Sequence, residues 1–188
     1  MTACLFYDES DYPWFAPDDR VAASAMSFGD EGATLLKGVE SLHLQPYDDQ
    51  TGKDIKDWVQ GATIGYGHLI AKADWKTYKD GITETEANTL FNDDLSPFVS
   101  TVQKCITARL HQNEFDALVI LAFNIGKSGF ASSSVVTLVN DPTAKTSFED
   151  LEAAWKAWNK SQGKVMKGLD NRRNAEWKIY SQGVYERW

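Results

Sequence analysis

The chain has 188 residues, of which 43% are hydrophobic and 24% charged, proportions typical of a folded globular protein. Its 27 acidic residues outnumber 19 basic ones, for a formal net charge of −8. This charge argues against nucleic acid as the main partner, because binding to phosphate depends on basic side chains. No stretch approaches the roughly 20 apolar residues of a membrane-spanning helix. The N-terminal residues also lack the basic and apolar regions of a signal peptide.

The N-terminal segment, residues 1–28, is predicted to be an extended arm. It combines two prolines and several acids with the aromatic side chains Phe6, Tyr7, Tyr12, Trp14 and Phe15. Acidity alone favours disorder, whereas the aromatic side chains indicate docking on the chain's own body or on a partner. Residues 1–31 hold seven acids and one base, a net charge of −6, so residues 32–188 carry only −2. The acidity therefore belongs chiefly to the arm.

The elements that follow predict an α+β fold. A first helix is expected from about Asp30 to Leu42, where apolar residues recur at helical spacing. Residues of about 44–80 lose that period and contain a β-branched and aromatic run with glycines, which favours a small β-rich lobe.

From Thr83 onward the chain is predicted to be helical, beginning at a capping box formed by Thr83 and Glu86. A helix over 112–126 is apolar on nearly all sides, so it is expected to be the buried centre of a larger helical lobe and to end at Gly126. Further helices are expected at roughly 132–139, 147–159 and 170–181.

Candidate acid–base residues lie at the junction of the first helix and the β-rich lobe. Glu40 falls at the edge of an apolar stripe, where partial burial would raise its pKa and suit a general acid. The alternative is a boundary glutamate that reaches solvent. Asp48 and Asp49, taken alone, indicate a solvated turn, but beside Glu40 they offer the second carboxylate that glycosidase chemistry needs.

The segment Thr63–His68 reads TIGYGH. Two glycines flanking Tyr66 permit unusual backbone angles or close approach of a ligand. Thr63 offers a hydroxyl suited to positioning water, and His68 offers a base, a ligand or a structural hydrogen bond. We expect no metal site, because no second histidine or cysteine lies at ligand spacing.

This stretch resembles the phage-type lysozymes of glycoside hydrolase family 24. The family pattern is a Glu at the end of the first helix, Tyr-x-Asp shortly after, and T-x-G-x-G-H on the β-lobe. Three later blocks, residues 82–95, 110–126 and 158–177, resemble the family's helical blocks in the same order. The resemblance covers about residues 31–181. It implies that residues 29–188 form a lysozyme-like catalytic domain that needs no cofactor.

The resemblance also implies roles for individual residues. It places the general acid on Glu40, the second carboxylate on Asp49 with Asp48 as the alternative, and the catalytic threonine on Thr63. The implied reaction is hydrolysis of the β-1,4 bond between N-acetylmuramic acid and N-acetylglucosamine in peptidoglycan glycan strands, carried out by a monomer. One departure is the thirteen residues between Asp49 and Thr63, more than is usual in the family.

Other positions are candidates for supporting roles. Tyr66 and Asn124 are candidate substrate-binding residues. Trp58, within the longer loop, is predicted either to stack on a sugar or to pack on the lobe. His68 and Asp94 fall where a structural pair between the lobes would lie. Two alternatives remain for Arg172 and Arg173 in the last helix. Either they pair with Glu40 or a nearby acid, or they are simple surface charge.

The resemblance suggests a phage endolysin that is made in the host cytoplasm and reaches the periplasmic cell wall after the membrane is breached. Two alternatives remain. One is the catalytic domain of a bacteriocin or secreted antibacterial effector, with residues 1–28 as its targeting element. The other is a non-catalytic glycan-binding protein on a lysozyme fold, which would be expected to lack Glu40 or Thr63.

Overall fold

The computed structural model describes residues 19–188, which form a sheet lobe, residues 43–80, on a larger helical lobe. The predicted α+β fold with a small β-rich lobe is confirmed. The strands are β1 Val21–Ala22, β2 His43–Asp48, β3 Lys53–Asp54, β4 Ala62–Gly65, β5 His68–Leu69, β6 Arg109–Leu110, β7 Lys160–Ser161 and β8 Lys164–Val165. The helices are α1 Asp30–Glu40, α2 Trp75–Tyr78, α3 Glu84–Cys105, α4 Gln112–Ile125, α5 Lys127–Ala131, α6 Ser134–Asn140, α7 Leu151–Lys156 and α8 Lys167–Gln182.

The sheet lobe is an antiparallel sheet with strand order β3-β2-β4-β5. Tyr47 pairs directly with Thr63, and the register of β2 shifts between His43 and Tyr47. The lobe's fully buried apolar residues are few, namely Ala62, Ile64 and Ile70. Side chains directly opposite one another share a face of a sheet, so Tyr47 and Thr63 point to the same side.

The helical lobe is built around α4, as the sequence predicts. Its residues Ala117–Ala122 are fully buried, and the helix ends at Gly126, whose φ of +83° suits a residue without a side chain. The capping box at Thr83 and Glu86 also forms and starts the long helix α3. Helix α3 passes from the sheet lobe to the helical lobe and packs against both.

Some element boundaries differ from the sequence prediction. Helix α1 ends at Glu40 rather than Leu42, because Ser41 turns the backbone to a positive φ of 62°. Helix α7 begins only at Leu151, where the Asp150 side chain accepts a hydrogen bond from Ala153 N. The hairpin of β7 and β8 and the short helix α5 were not predicted.

Residues 19–28, the described part of the predicted N-terminal arm, pack on the helical lobe. Strand β1 pairs with β6, and the side chains of Ala23 and Met26 are buried in the core. Gln103 Nε2 donates to Met26 O at 2.8 Å. The rest of the arm, residues 1–18, lies outside the described residues. Among residues 19–188, no helix is both long and apolar enough to cross a membrane.

Candidate active site

Glu40 is the last residue of α1, and its carboxyl lies where the two lobes meet. Its side chain is only 27% exposed, and Oε1 lies 3.9 Å from Arg172 Nη1. Its other oxygen, Oε2, faces Gly67 in the turn between β4 and β5. Burial raises the pKa of the Glu40 carboxyl, and the positive charge of Arg172 opposes that rise. The group therefore keeps a proton to higher pH than an ordinary glutamate does.

Tyr47 connects Glu40 with the aspartate turn. Its pKa is raised first by burial, then by the negative charges of Asp49 and Glu40. Both carboxylates thus lie within electrostatic range of one phenol ring. Tyr47 also pairs with Thr63 on one face of the sheet, so Tyr47 is a neighbour shared by Glu40, Asp49 and Thr63.

The two neighbouring aspartates have different surroundings. Asp48 Oδ1 accepts a hydrogen bond from Gln50 N at 3.0 Å, and Oδ2 accepts one from Thr51 Oγ1 at 2.9 Å. Both oxygens of the Asp48 carboxylate therefore accept hydrogen bonds within the turn that follows β2. The Asp49 carboxylate has no hydrogen bond to any residue between 19 and 188, and it is exposed. This contrast favours Asp49 as the carboxylate available to a ligand.

Gly61 holds Asp49 and Thr63 in relation to each other. Its carbonyl oxygen accepts hydrogen bonds from Asp49 N at 3.1 Å and from Thr63 Oγ1 at 2.9 Å. Its φ is +95°, and a Cβ at this position would overlap Asp49 Oδ1. Only glycine allows the Asp49 carboxylate to lie against this backbone. The Thr63 hydroxyl, which donates to Gly61, keeps its lone pairs to accept a hydrogen bond from water.

A cleft about 280 Å³ in volume continues from this site between the lobes. Tyr66 packs edge-on against Phe91 with ring centroids 5.6 Å apart, and Phe98 packs likewise against Phe123 at 5.2 Å. The full lining comprises Tyr66, Gly67, His68, Leu69, Phe91, Asp94, Phe98 and Phe123. Aromatic and apolar walls of this kind suit the faces of sugar rings.

The structure brings His68 and Asp94 together across the two lobes. His68 Nδ1 lies 2.9 Å and 3.1 Å from the two carboxylate oxygens of Asp94 in α3. The hydrogen bond to Asp94 raises the pKa of His68, although burial acts in the opposite direction. The pair joins β5 of the sheet lobe to the helix that supports it.

The candidate substrate-binding residues have separate surroundings. Tyr66 lines the cleft, and Asn124 is exposed at the end of α4. Asn124 Oδ1 accepts from Arg173 Nη2 at 2.7 Å, which leaves its amide N–H groups available as donors. Trp58 packs beside the sheet-lobe core, donates to Ile70 O at 2.9 Å and lies under Lys72. Of the two alternatives that the sequence leaves open for Trp58, these contacts correspond to packing on the lobe.

A buried charge cluster lies behind Glu40. Of the two alternatives given for Arg172 and Arg173, it corresponds to pairing with Glu40 or a nearby acid, but that acid, Glu176, was not identified from the sequence. Glu176 is fully buried and accepts hydrogen bonds from Arg172 Nε at 2.9 Å, Arg173 Nη2 at 2.8 Å and Trp155 Nε1 at 3.1 Å. The guanidinium of Arg172 also lies 4.7 Å from the ring centre of Trp188. The spacing of Glu176 three and four residues after the two arginines is the signal that would have predicted the cluster.

No metal site is found among residues 19–188, where no three His, Cys, Asp or Glu side chains converge. The candidate site offers the side chains of Glu40, Asp49 and Thr63 and the polar groups around them. A protonated carboxyl that faces an ionised one across a cleft can donate a proton to a leaving oxygen, while the other orients water.

The sequence and the fold are similar to those of known phage endolysins and muramidases. The endolysin of Bacillus phage PZA is 34% identical over 159 residues, which are 85% of this chain and 57% of that protein. The structure of an endolysin from Escherichia coli O157:H7 phage FAHEc1 superposes with a TM-score of 0.67 at 29% identity, covering 87% of this chain and 98% of that one. The muramidase domain of SpmX from Asticaccaulis excentricus superposes with a TM-score of 0.63 at 28% identity, covering 83% of this chain and 98% of that one.

The matches cover different shares of this chain and of its relatives. The chain spans little more than half the length of the Bacillus phage endolysins that it matches. The profile of the family described as phage lysozyme matches residues 37–176, a range that includes Glu40, Asp49, Thr63 and the Glu176 cluster. Since this match covers well over half of the chain, the protein belongs to the phage lysozyme family.

Proposed function

We propose that this chain is a muramidase that hydrolyses the β-1,4 bond between N-acetylmuramic acid and N-acetylglucosamine in peptidoglycan. The observation that carries the proposal is the Glu40 carboxyl, which is buried enough to raise its pKa and faces the β4–β5 turn beside the cleft. A general acid must hold its proton near the working pH, and partial burial supplies this. Glu40 protonates the leaving glycosidic oxygen.

Asp49 and Thr63 act on the other side of the bond. The Asp49 carboxylate is free of hydrogen bonds to the described residues, and the Thr63 hydroxyl has acceptor capacity left. Together they orient a water molecule towards the sugar carbon, or stabilise the positive charge that develops there. The cleft walls, with Tyr66 and Asn124, hold the glycan strand.

The biological role we propose is that of a phage endolysin. It is supported by the names of the relatives, which are endolysins of phages of several bacteria. In this role the enzyme is made in the host cytoplasm and acts as a monomer on the periplasmic cell wall once the membrane is breached.

The test is lysis of purified sacculi and of outer-membrane-permeabilised Gram-negative cells, followed as loss of turbidity. Wild type should lyse both, and Glu40→Gln should be slower by about 10²–10⁴-fold, the usual contribution of a positioned acid. Glu149→Gln, the same change on an exposed residue, is the control and should keep full activity. A Glu40→Gln variant as active as the control would exclude Glu40 as the acid.

The choice between the aspartates has its own test. Asp49→Asn should reduce kcat with little change in stability, because the Asp49 carboxylate makes no hydrogen bond among residues 19–188. Asp48→Asn should mainly lower stability, by about 1 kcal/mol, because it weakens the turn bonds to Gln50 and Thr51. The reverse pattern would reassign the second carboxylate to Asp48.

A further inference from the structure

The hairpin formed by β7 and β8 concentrates positive charge on an acidic protein. Residues 153–169 contain four lysines and no acid, whereas the whole chain carries −8. One of the four, Lys156, pairs with Glu152. The other three form no ion pair with any residue between 19 and 188; they are Lys160, Lys164 and Lys167. We call these three residues, together with Val165 and Met166, the basic hairpin.

Nothing in the described part of the chain covers the basic hairpin. Residues 160–168 are all exposed, and Val165 and Met166 are 57% and 47% exposed. The turn at Gln162 and Gly163 has φ values of 49° and 77°, those of a tight two-residue hairpin. An isolated two-stranded hairpin is only marginally stable in water. The basic hairpin therefore presents exposed apolar side chains beside cations that have no partner among residues 19–188.

The basic hairpin lies at the Glu40 end of α8. Its base is fixed by bonds from Met166 N to Asn159 O at 2.9 Å and from Asn159 Nδ2 to Asp170 Oδ1 at 2.7 Å. Arg172 follows Lys167 by five positions in α8, which corresponds to a rise of about 7.5 Å along the helix axis. Arg172 is the residue that lies 3.9 Å from Glu40.

The other end of α8 points away from the cleft. There the carbonyl oxygens of Ile179 and Tyr180 accept from Asn113 at the start of α4. Along α8, the basic hairpin therefore lies nearer to Glu40 than the far end of the helix does.

We propose that the basic hairpin binds the carboxylates of the peptide stems that project from the glycan strand in the cleft. This inference rests on the proposed muramidase function, since peptidoglycan carries such stems. Lysine suits the task because its ammonium is a compact charge on a flexible chain, which can follow carboxylates at variable positions. Val165 and Met166 offer apolar contacts for the short alkyl side chains of the stems. The basic hairpin thus gives an acidic protein a local attraction to an anionic substrate.

The experiment measures binding without catalysis. Proteins carrying Glu40→Gln are cosedimented with purified sacculi at low ionic strength, with or without Lys160→Gln, Lys164→Gln and Lys167→Gln together. The triple change should weaken binding about eightfold, as three exposed contacts of roughly twofold each. The control triple Lys76→Gln, Lys104→Gln and Lys145→Gln removes the same charge from exposed sites elsewhere and should weaken it less than twofold.

Sacculi stripped of their peptide stems by an amidase identify the ligand. On these, the hairpin triple and the control triple should bind equally, and on intact sacculi the difference should fade at about 1 M salt, where exposed charges are screened. The proposal fails if both triples lose binding equally on intact sacculi. It also fails if the difference persists on stripped sacculi, or if anionic vesicles show the same eightfold loss, which would identify lipid as the ligand. Loss of lysis without these binding effects would instead concern the muramidase proposal.

Discussion

The two lobes hold their site residues by different means. In the helical lobe a broad core surrounds α4, and the charges behind Glu40 are buried and paired with one another. In the sheet lobe the buried apolar core comprises only Ala62, Ile64 and Ile70, and Thr63 is buried beside them. Asp49 is exposed and placed by the backbone at Gly61. The comparison indicates that burial raises the pKa of Glu40, the proposed acid, whereas turn geometry sets the position of Asp49, the proposed second carboxylate.

The difference has a consequence for how each lobe responds to substitution. A buried ion pair that loses one partner leaves an uncompensated charge, which costs several kcal/mol. An exposed carboxylate on a turn can be displaced at much lower cost in stability, but its displacement affects the chemistry directly. Changes to the buried charges behind Glu40 should therefore appear mainly as lost stability, and changes that displace the Asp49 carboxylate mainly as lost activity.

The largest expected effect is that of Glu176→Gln in the helical lobe. Burial raises the pKa of Glu176, while Arg173 and Arg172 act in the opposite direction and hydrogen-bond to it. Without its charge, two buried guanidiniums lose their counter-ion, so the free energy of unfolding should fall by about 3–5 kcal/mol. Urea unfolding followed by circular dichroism measures this.

The control for that change is Glu186→Gln. Glu186 pairs with Lys178 at 3.0 Å, but both side chains are about half exposed or more, so the loss should stay below about 1 kcal/mol. If the two variants lose the same stability, the buried cluster is not what distinguishes the helical lobe.

The sequence predicted those features that depend on local pattern. The apolar run of α4 and the capping box of α3 follow from the spacing of residues such as Leu118 and Glu86, so both helices were predicted correctly. The TIGYGH segment likewise identified the strand that carries Thr63. These are signals between residues close in the chain.

Features that depend on distant contacts were harder to predict. The pairing of Glu176 with Trp155 joins two helices, and the hydrogen bond from Gln103 to Met26 joins residues 77 positions apart; neither was predicted. The pair of His68 and Asp94 was expected only from the family resemblance, and for Trp58 the sequence left packing on the lobe and stacking on a sugar as alternatives. No periodicity reports such contacts.

A smaller effect on stability, but a specific one on catalysis, is expected from Gly61→Ala in the sheet lobe. The new methyl group would overlap Asp49 Oδ1 and force the carboxylate to move. We expect kcat/KM on sacculi to fall about tenfold, since a displacement of about 1 Å is enough to disturb a reaction of this kind. The cost in stability should be about 1–2 kcal/mol, that of an alanine at positive φ.

Gly52→Ala is the matched control, because Gly52 also has positive φ but no atom within 4 Å of its Cβ position. Its stability should fall by a similar amount, about 1 kcal/mol, with kcat/KM within twofold of wild type. Equal losses of activity in the two variants would mean that backbone strain, and not the position of Asp49, governs the site.

The smallest expected effect concerns the contact between the lobes, Asp94→Asn. Because the pKa of His68 is raised in the folded protein, the pair stabilises the fold fully below the unfolded pKa of about 6.5. That stabilisation is lost as the pH rises through the folded pKa. Both side chains are partly exposed, so Asp94→Asn should cost only about 0.5–1 kcal/mol at pH 5.5 and less at pH 9.

Unfolding in urea at the two pH values measures this difference, with Asp93→Asn as the control on the neighbouring residue. Asp93 makes no hydrogen bond to His68 and affects its pKa only as the weakest of the nearby charges. A loss that is the same at pH 5.5 and pH 9 would mean that Asp94 holds the lobes through a neutral hydrogen bond. A loss confined to low pH would show that the protonated, charged form of His68 pairs with Asp94 and joins the sheet lobe to α3.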